Sequence, residues 1–268
     1  ADKSASLTPP TGDNRDRWQQ SKTKKMRNKL LLLLLLLINT FNAFSQKLYD
    51  AVDKGKVEKV KTLLDKGEDP NEYNKNGLFP LWRATADNNY EISELLIQNG
   101  ANVNQENKVP PAQSTPIELP CQEGYFEIIK LLVENGADVN FEGYRDFTPI
   151  RIAARNGHLE IVKYLAANGA EIDKRAMDGA TPLEHAASKG HFEIVKFLTE
   201  KGANVNNKDT EDDFPIGEAA KYGYIKILEF LIENGADLTL KNGEGKTAYD
   251  LAKERGQKKA AELIEEYM

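Results

Sequence analysis

The sequence predicts an all-α fold, a solenoid of about seven stacked helix-pair units. Three observations predict it. Five segments align without gaps, at 79–104, 115–140, 148–173, 181–206 and 214–239. A glycine recurs at Gly67, Gly100, Gly136, Gly169, Gly202 and Gly235, with spacings of 33, 36, 33, 33 and 33 residues. Within the segments the apolar residues keep helical spacing, as at Ile161, Val162 and Leu165. A fixed period of this length marks a repeat architecture. No unit can bury its own apolar face, and stacked neighbours share one continuous core.

Each unit reads as two helices. Thr-Pro or Phe-Pro opens the first: Pro149 sits where a missing N–H costs nothing, and Thr148 is placed to cap the first turn. This helix is short and small-sided, with Ala153-Ala154 and Ala186-Ala187, so neighbouring backbones can approach closely. Gly157, Gly190 and Gly223 suit the left-handed conformation at its end. A second helix with one apolar stripe follows, and a polar turn leads to the next unit. The flanking units differ. Residues 46–71 lack the Thr-Pro opening, and residues 246–268 keep Thr247 and Gly256 before turning to Lys and Glu. Polar outer faces are what terminal units need, so the folded domain is expected over 46–268, with caps at 46–71 and 246–268.

The stations Thr-Pro-Leu (181–183), Ala-Ala (186–187), Gly-His (190–191), Glu-Ile-Val (193–195) and Gly-Ala-Asp-Val-Asn (136–140) recur in phase. In these residues the chain resembles the ankyrin repeat, over roughly residues 46–268. The resemblance implies protein recognition through the turn tips before each Thr-Pro and the last residues of each first helix, on the concave side. Carried over by register, the tips supply Tyr144, Arg145, Phe147 and Met177, and the helix ends supply Arg155, Lys189 and Tyr222. Aromatic residues, Arg and Met are enriched at the energetic centres of interfaces. Units four to six are therefore the expected partner site. The alternative is that Phe147 tucks under its own turn and Tyr222 packs on the next repeat.

Composition narrows the chemistry. A single cysteine, Cys121, excludes an intramolecular disulfide and a Cys-based zinc site, and three histidines (His158, His185, His191) make a multi-histidine metal centre unexpected. Residues 1–45 hold eight basic and three acidic side chains of the chain's 36 and 42, which leaves 46–268 with 28 and 39, a net charge of −11. A body this acidic repels phosphate backbones, so nucleic acid is not an expected partner. His158 and His191 stand at the Gly-His station, a structural role. Glu184 and His185 are adjacent on a first helix, where side chains diverge by about 100°, so they cannot work as an acid–base pair. Cys121 falls on an Ala station, as a buried thiol with no activating base. The carboxylates read as solvated faces, and "GEGK" at 243–246 lacks the strand and spacing of a phosphate loop. No enzyme, cofactor or metal is expected, and the stack is expected to be monomeric.

Four departures stand out. The turn at 107–114 is three residues longer, and Pro120 replaces an alanine within a first helix, a defect of roughly 3 kcal/mol in a helix interior; a shortened or distorted helix is expected there, either a hinge or tolerated drift. Asn88 stands for a helix-ending glycine and is the best substitute for a left-handed residue. Trp82 stands where the ankyrin pattern has histidine, and its bulk is expected to cover the core near the first cap.

Residues 26–45 have a different character. A short basic start is followed by nine apolar residues, Leu30 to Ile38, then a polar break and Ala43-Phe44-Ser45. Small residues at 43 and 45 fit a cut before Gln46, the layout of a secretory signal peptide. A membrane span needs about 20 apolar residues, and Asn39, Thr40 and Asn42 interrupt the run. The expectation is export to the periplasm or beyond, with no membrane contact after cleavage; the alternative is a tethered scaffold that retains the segment as an anchor. Residues 1–25 precede Met26 and carry no helical or strand period, and they are expected to form a disordered or non-native leader.

Overall fold

The structure, a computed structural model, describes residues 23–31, 46–109 and 114–268. Regular structure among them is helical, in seven successive pairs: α1 (46–53) and α2 (Val57–Leu64), α3 (Pro80–Ala86) and α4 (Tyr90–Gln98), α5 (Glu118–Glu123) and α6 (Phe126–Glu134), α7 (Pro149–Asn156) and α8 (Leu159–Ala167), α9 (Pro182–Lys189) and α10 (Phe192–Glu200), α11 (Pro215–Tyr222) and α12 (Ile225–Glu233), α13 (Ala248–Glu254) and α14 (Lys258–Glu265). From α3 onward, first helices stack on first helices, and from α2 onward second helices stack on second helices.

Side-chain size sets this arrangement. In unit four, Ile150, Ala153 and Ala154 of α7 and Ile161, Val162 and Leu165 of α8 are buried, and the same stations are buried in units five and six. All belong to one core running from Leu48 to Ile264. Alanines let α7, α9 and α11 lie close together, whereas the second helices meet through large rings: Phe126–Tyr164 and Phe192–Phe230 pack edge to face at 5.6 and 5.9 Å. Truncating one of the fully buried leucines, such as Leu198, would cost about 2–5 kcal/mol.

Polar ladders fix the register between units. The side chain of Asn104 accepts from Asp138 N (2.8 Å) and donates to Gly136 O (2.9 Å); Asn71, Asn140 and Asn206 repeat the pattern toward Gly100, Gly169 and Gly235. Asp173 holds the equivalent place between units four and five. It accepts from Asn204 N at 2.9 Å, but its other oxygen is buried without a partner. The Gly-His station forms a second ladder: His158 and His191 place Nε2 2.8 and 3.1 Å from the carbonyls of Gln122 and Arg155 in the preceding unit. The His191 ring lies where a Cβ on Gly157 would project, and Gly157 has φ +83°, so glycine is needed there for both reasons.

Several local expectations are met and others are revised. Asn88 adopts φ 54°, and Cys121 is fully buried, which pushes its thiol pKa up. The unit-three helix is shortened, beginning at Glu118 rather than beside Pro116. Pro120 therefore falls in the first turn, where N–H groups have no intrahelical partner, and Glu118 Oε1 accepts from Thr115 N at 2.9 Å. The interior defect of roughly 3 kcal/mol expected from the sequence does not arise. Thr148 takes the N-cap position but does not cap: its hydroxyl is buried without a partner. Three residues on, Arg151 reaches forward to the next unit instead of back to the cap. Trp82 is half-buried and packed against the core, with its indole N–H donating to Ser114 Oγ (3.3 Å) in the turn before unit three.

Residues 23–31 form an exposed helix that crosses the 25/26 boundary, as Lys, Met, Arg and Leu favour. Thr23 to Lys25, at the end of the expected leader, are helical; residues 1–22 lie outside the described residues. No helix among the described residues is long and apolar enough to cross a membrane. Most of the leucine run, with Ala43 and Ser45, lies outside the described residues; Gln46 is the first described residue of α1, its amide donating to Asp50 at 2.6 Å.

Candidate functional site

The turn tips before the first helices are tied to one another: Lys108 N donates to Gly77 O, Met177 N to Arg145 O, Thr210 N to Asp178 O and Gly243 N to Glu211 O, at 2.8–3.2 Å. The unit-four tip is unusual. Tyr144–Asp146 forms a short 3-10 turn in which Arg145 and Asp146 both have φ 59°. Consecutive left-handed conformations in residues with a Cβ cost about 1–3 kcal/mol each. The turn holds Tyr144 outward, 49% exposed, and turns Phe147 inward.

Behind the tip lies a buried cation. The Arg151 guanidinium, 1% exposed, lies 3.8 Å over the Phe147 ring and donates from Nη2 to both carboxylate oxygens of Asp178, at 2.8 and 2.7 Å, and to His185 Nε2. Burial, and then the charge of Arg151, holds the His185 pKa down at about 4, so the ring is neutral and can accept that bond. Phe147 thus packs on Arg151 and stands 6.2 Å from His185, so part of its ring supports the tip.

In front lies a cleft of about 640 Å³, lined by Glu118, Gln122, Tyr144, Phe147, Ile152, Arg155, Asn156, Lys189 and His191. It brings together four of the seven residues expected from the sequence: Tyr144, Phe147, Arg155 and Lys189. Arg145, Met177 and Tyr222 do not line it. Met177 is 65% exposed on the next tip, and Tyr222, 49% exposed, stacks on Tyr224 of its own unit at 5.9 Å. These three are exposed but do not shape the cleft.

The reading of all carboxylates as solvated is corrected. Burial raises Glu118 to about 7. Glu184 is 5% exposed, and burial followed by the charges of Asp209, Glu218 and Asp213 raises it to about 9. Glu118, Arg151 and Glu184 share one station, the fourth residue after Thr-Pro opens, which also holds Trp82. A charge at three successive copies of that station was the signal that could have found them. Glu184 faces the unit after it and His185 the unit before it, so their side chains do diverge. No group of three or more His, Cys, Asp or Glu among the described residues is placed to hold a metal ion.

A solenoid of seven helix pairs with tied turn tips and an open cleft beside its first helices defines a repeat-type binding protein. Family comparison matches the chain to ankyrin repeats (3 copies) over residues 48–143 and 142–209, and to ankyrin repeats (many copies) over 213–252. The chain belongs to the ankyrin-repeat family, whose members serve as protein–protein interaction scaffolds. Comparison with curated proteins gives no match.

Proposed function

We propose that the protein is an exported, non-catalytic scaffold that binds a partner protein across the turn tips and first helices of units four to six. The observation that carries the reading is the cleft: an exposed Tyr144, Phe147 and Arg155 from unit four and Lys189 from unit five converge on one surface. Aromatic and Arg anchors around a recess are what an interface centre requires. The unpaired strain at Arg145 and Asp146 supports it, because strained conformations collect at binding surfaces.

The test is capture from an envelope extract with the immobilised protein and its Tyr144→Ala/Arg155→Ala variant. Both side chains are exposed, so the unfolding midpoint should hold while capture of any specific partner is lost. Capture by the variant equal to that by the parent would refute the site.

Export rests on the basic, apolar and small-residue order of 26–45. Sequencing the N-terminus of the mature protein should give Gln46. A mature chain that retains the leucines and sediments with membranes would favour the tethered scaffold.

A further inference from the structure

The cleft carries a charge imbalance. Arg155 from α7 and Lys189 from α9 both line it, and neither forms an ion pair or side-chain hydrogen bond with a described residue. Glu118 is the one carboxyl in the lining, and it is turned into the wall: Oε1 accepts from Thr115 N, and Oε2 packs against Gly143, where an added Cβ would lie within 2.5 Å of it. Its proton, retained to about pH 7 because of burial, further limits the counter-charge. The positive field reaches inward, since Arg155 and Lys189 both contribute, after burial and Arg151, to the lowered pKa of His185. Yet the repeat domain around the cleft has a net charge of −11.

We infer that this cleft receives a carboxylate side chain from an extended acidic segment of the partner protein, held between Arg155 and Lys189, with a neighbouring apolar side chain against Tyr144 and Phe147. The inference rests on the protein-binding reading and names the chemistry of its ligand. Two cations on separate helices fit one carboxylate. A polyphosphate or an anionic membrane carries a far denser array of negative charge than a peptide with one carboxylate in three residues, and meets more repulsion from the acidic remainder of the stack. Charge-assisted bonds to a carboxylate, partly removed from water in a recess, are the stronger kind.

The experiment titrates the purified protein with fluorescein-labelled dodecapeptides of repeating Asp-Leu-Gly, Asn-Leu-Gly and Lys-Leu-Gly. The Asp peptide should bind saturably and more weakly as salt rises, and the Asn peptide should be weaker by about tenfold or more, as loss of one charged hydrogen-bonded contact implies. Arg155→Glu and Lys189→Glu should each reproduce that loss, while Lys226→Glu on α12 should not. Equal affinity for the Asp and Asn peptides, indifference to both charge reversals, or equally dependent binding to phosphatidylserine vesicles would overturn the acidic-segment occupant. The two readings fail separately. Partner capture that Tyr144→Ala/Arg155→Ala abolishes, without an Asp preference among peptides, retains the binding site and removes the acidic ligand; capture indifferent to that variant, together with no peptide binding, removes both.

Discussion

Arg151 and Asp178 join units four and five through the interior of the stack. The two side chains meet at 2.7 Å, with Arg151 1% and Asp178 33% exposed. The asymmetry of exposure sets the energetics. Removing Asp178 strands a buried guanidinium whose Nε and Nη1 have no protein partner, whereas removing Arg151 leaves a carboxylate that can turn to water. Asp178→Ala should therefore destabilise by about 2–4 kcal/mol in urea unfolding, and Arg151→Met by less than about 1.5 kcal/mol. The reverse order would mean that the pair stabilises through attraction rather than through compensation for burial.

Asp173 interrupts a ladder built otherwise from asparagine. Asn71, Asn104, Asn140 and Asn206 each donate to a glycine carbonyl of the next unit, and a carboxylate cannot. Asp173→Asn should supply that donor to the oxygen's buried neighbourhood and stabilise the protein by about 1 kcal/mol, the typical net value of one hydrogen bond. A decrease in the unfolding midpoint would show that the unpartnered oxygen of Asp173 has another role.

Glu184 makes stability depend on pH. Its pKa is near 4.5 when unfolded and about 9 when folded, so between these values the native state holds one more proton than the unfolded chain. Stability should fall as pH rises through this window. Below about 6.5 the slope is opposed by His185, which is neutral when folded and charged when unfolded down to about pH 4; Glu118 adds to the fall only up to about 7. From pH 7 to 9 the slope belongs mainly to Glu184, up to about 1.4 kcal/mol per pH unit. Glu184→Gln should flatten that limb of the curve, and an unchanged slope would assign it elsewhere.

Pro120 sits in the first turn of a six-residue helix, whereas α7, α9 and α11 have eight residues. Pro120→Ala should change stability by less than about 1 kcal/mol, well short of the roughly 3 kcal/mol of an interior proline. Amides of α5 should still exchange with solvent faster than those of α7, because the helix is two residues shorter, about half a turn. Uniform protection across the two helices would remove any idea of a joint at unit three.

The helix pairs, their glycine ends and the left-handed Asn88 were legible in the sequence because each is decided within one unit, by spacing and by backbone sterics. The charged interior was not. Arg151 finds Asp178 27 residues ahead and His185 34 residues ahead, in the neighbouring unit, and nothing within its own helix distinguishes it from an exposed arginine. Of the two readings of Phe147, register could not show that both hold in part: its ring packs on that hidden guanidinium and also lines the cleft. Register alone places Arg155, Lys189 and Tyr144 on one face, but it could not show which of the expected residues line the cleft, because the turn at 144–146 takes its own left-handed backbone.

The partner is expected to lie against the tips and first helices of the central units. Photo-crosslinking residues placed singly at Gln122, Tyr144, Lys163 and Lys196 test it most directly, since the first two line the cleft and the last two lie on the second helices. Partner adducts should form from Gln122 and Tyr144 and be absent from Lys163 and Lys196. Adducts confined to Lys163 and Lys196 would contradict it.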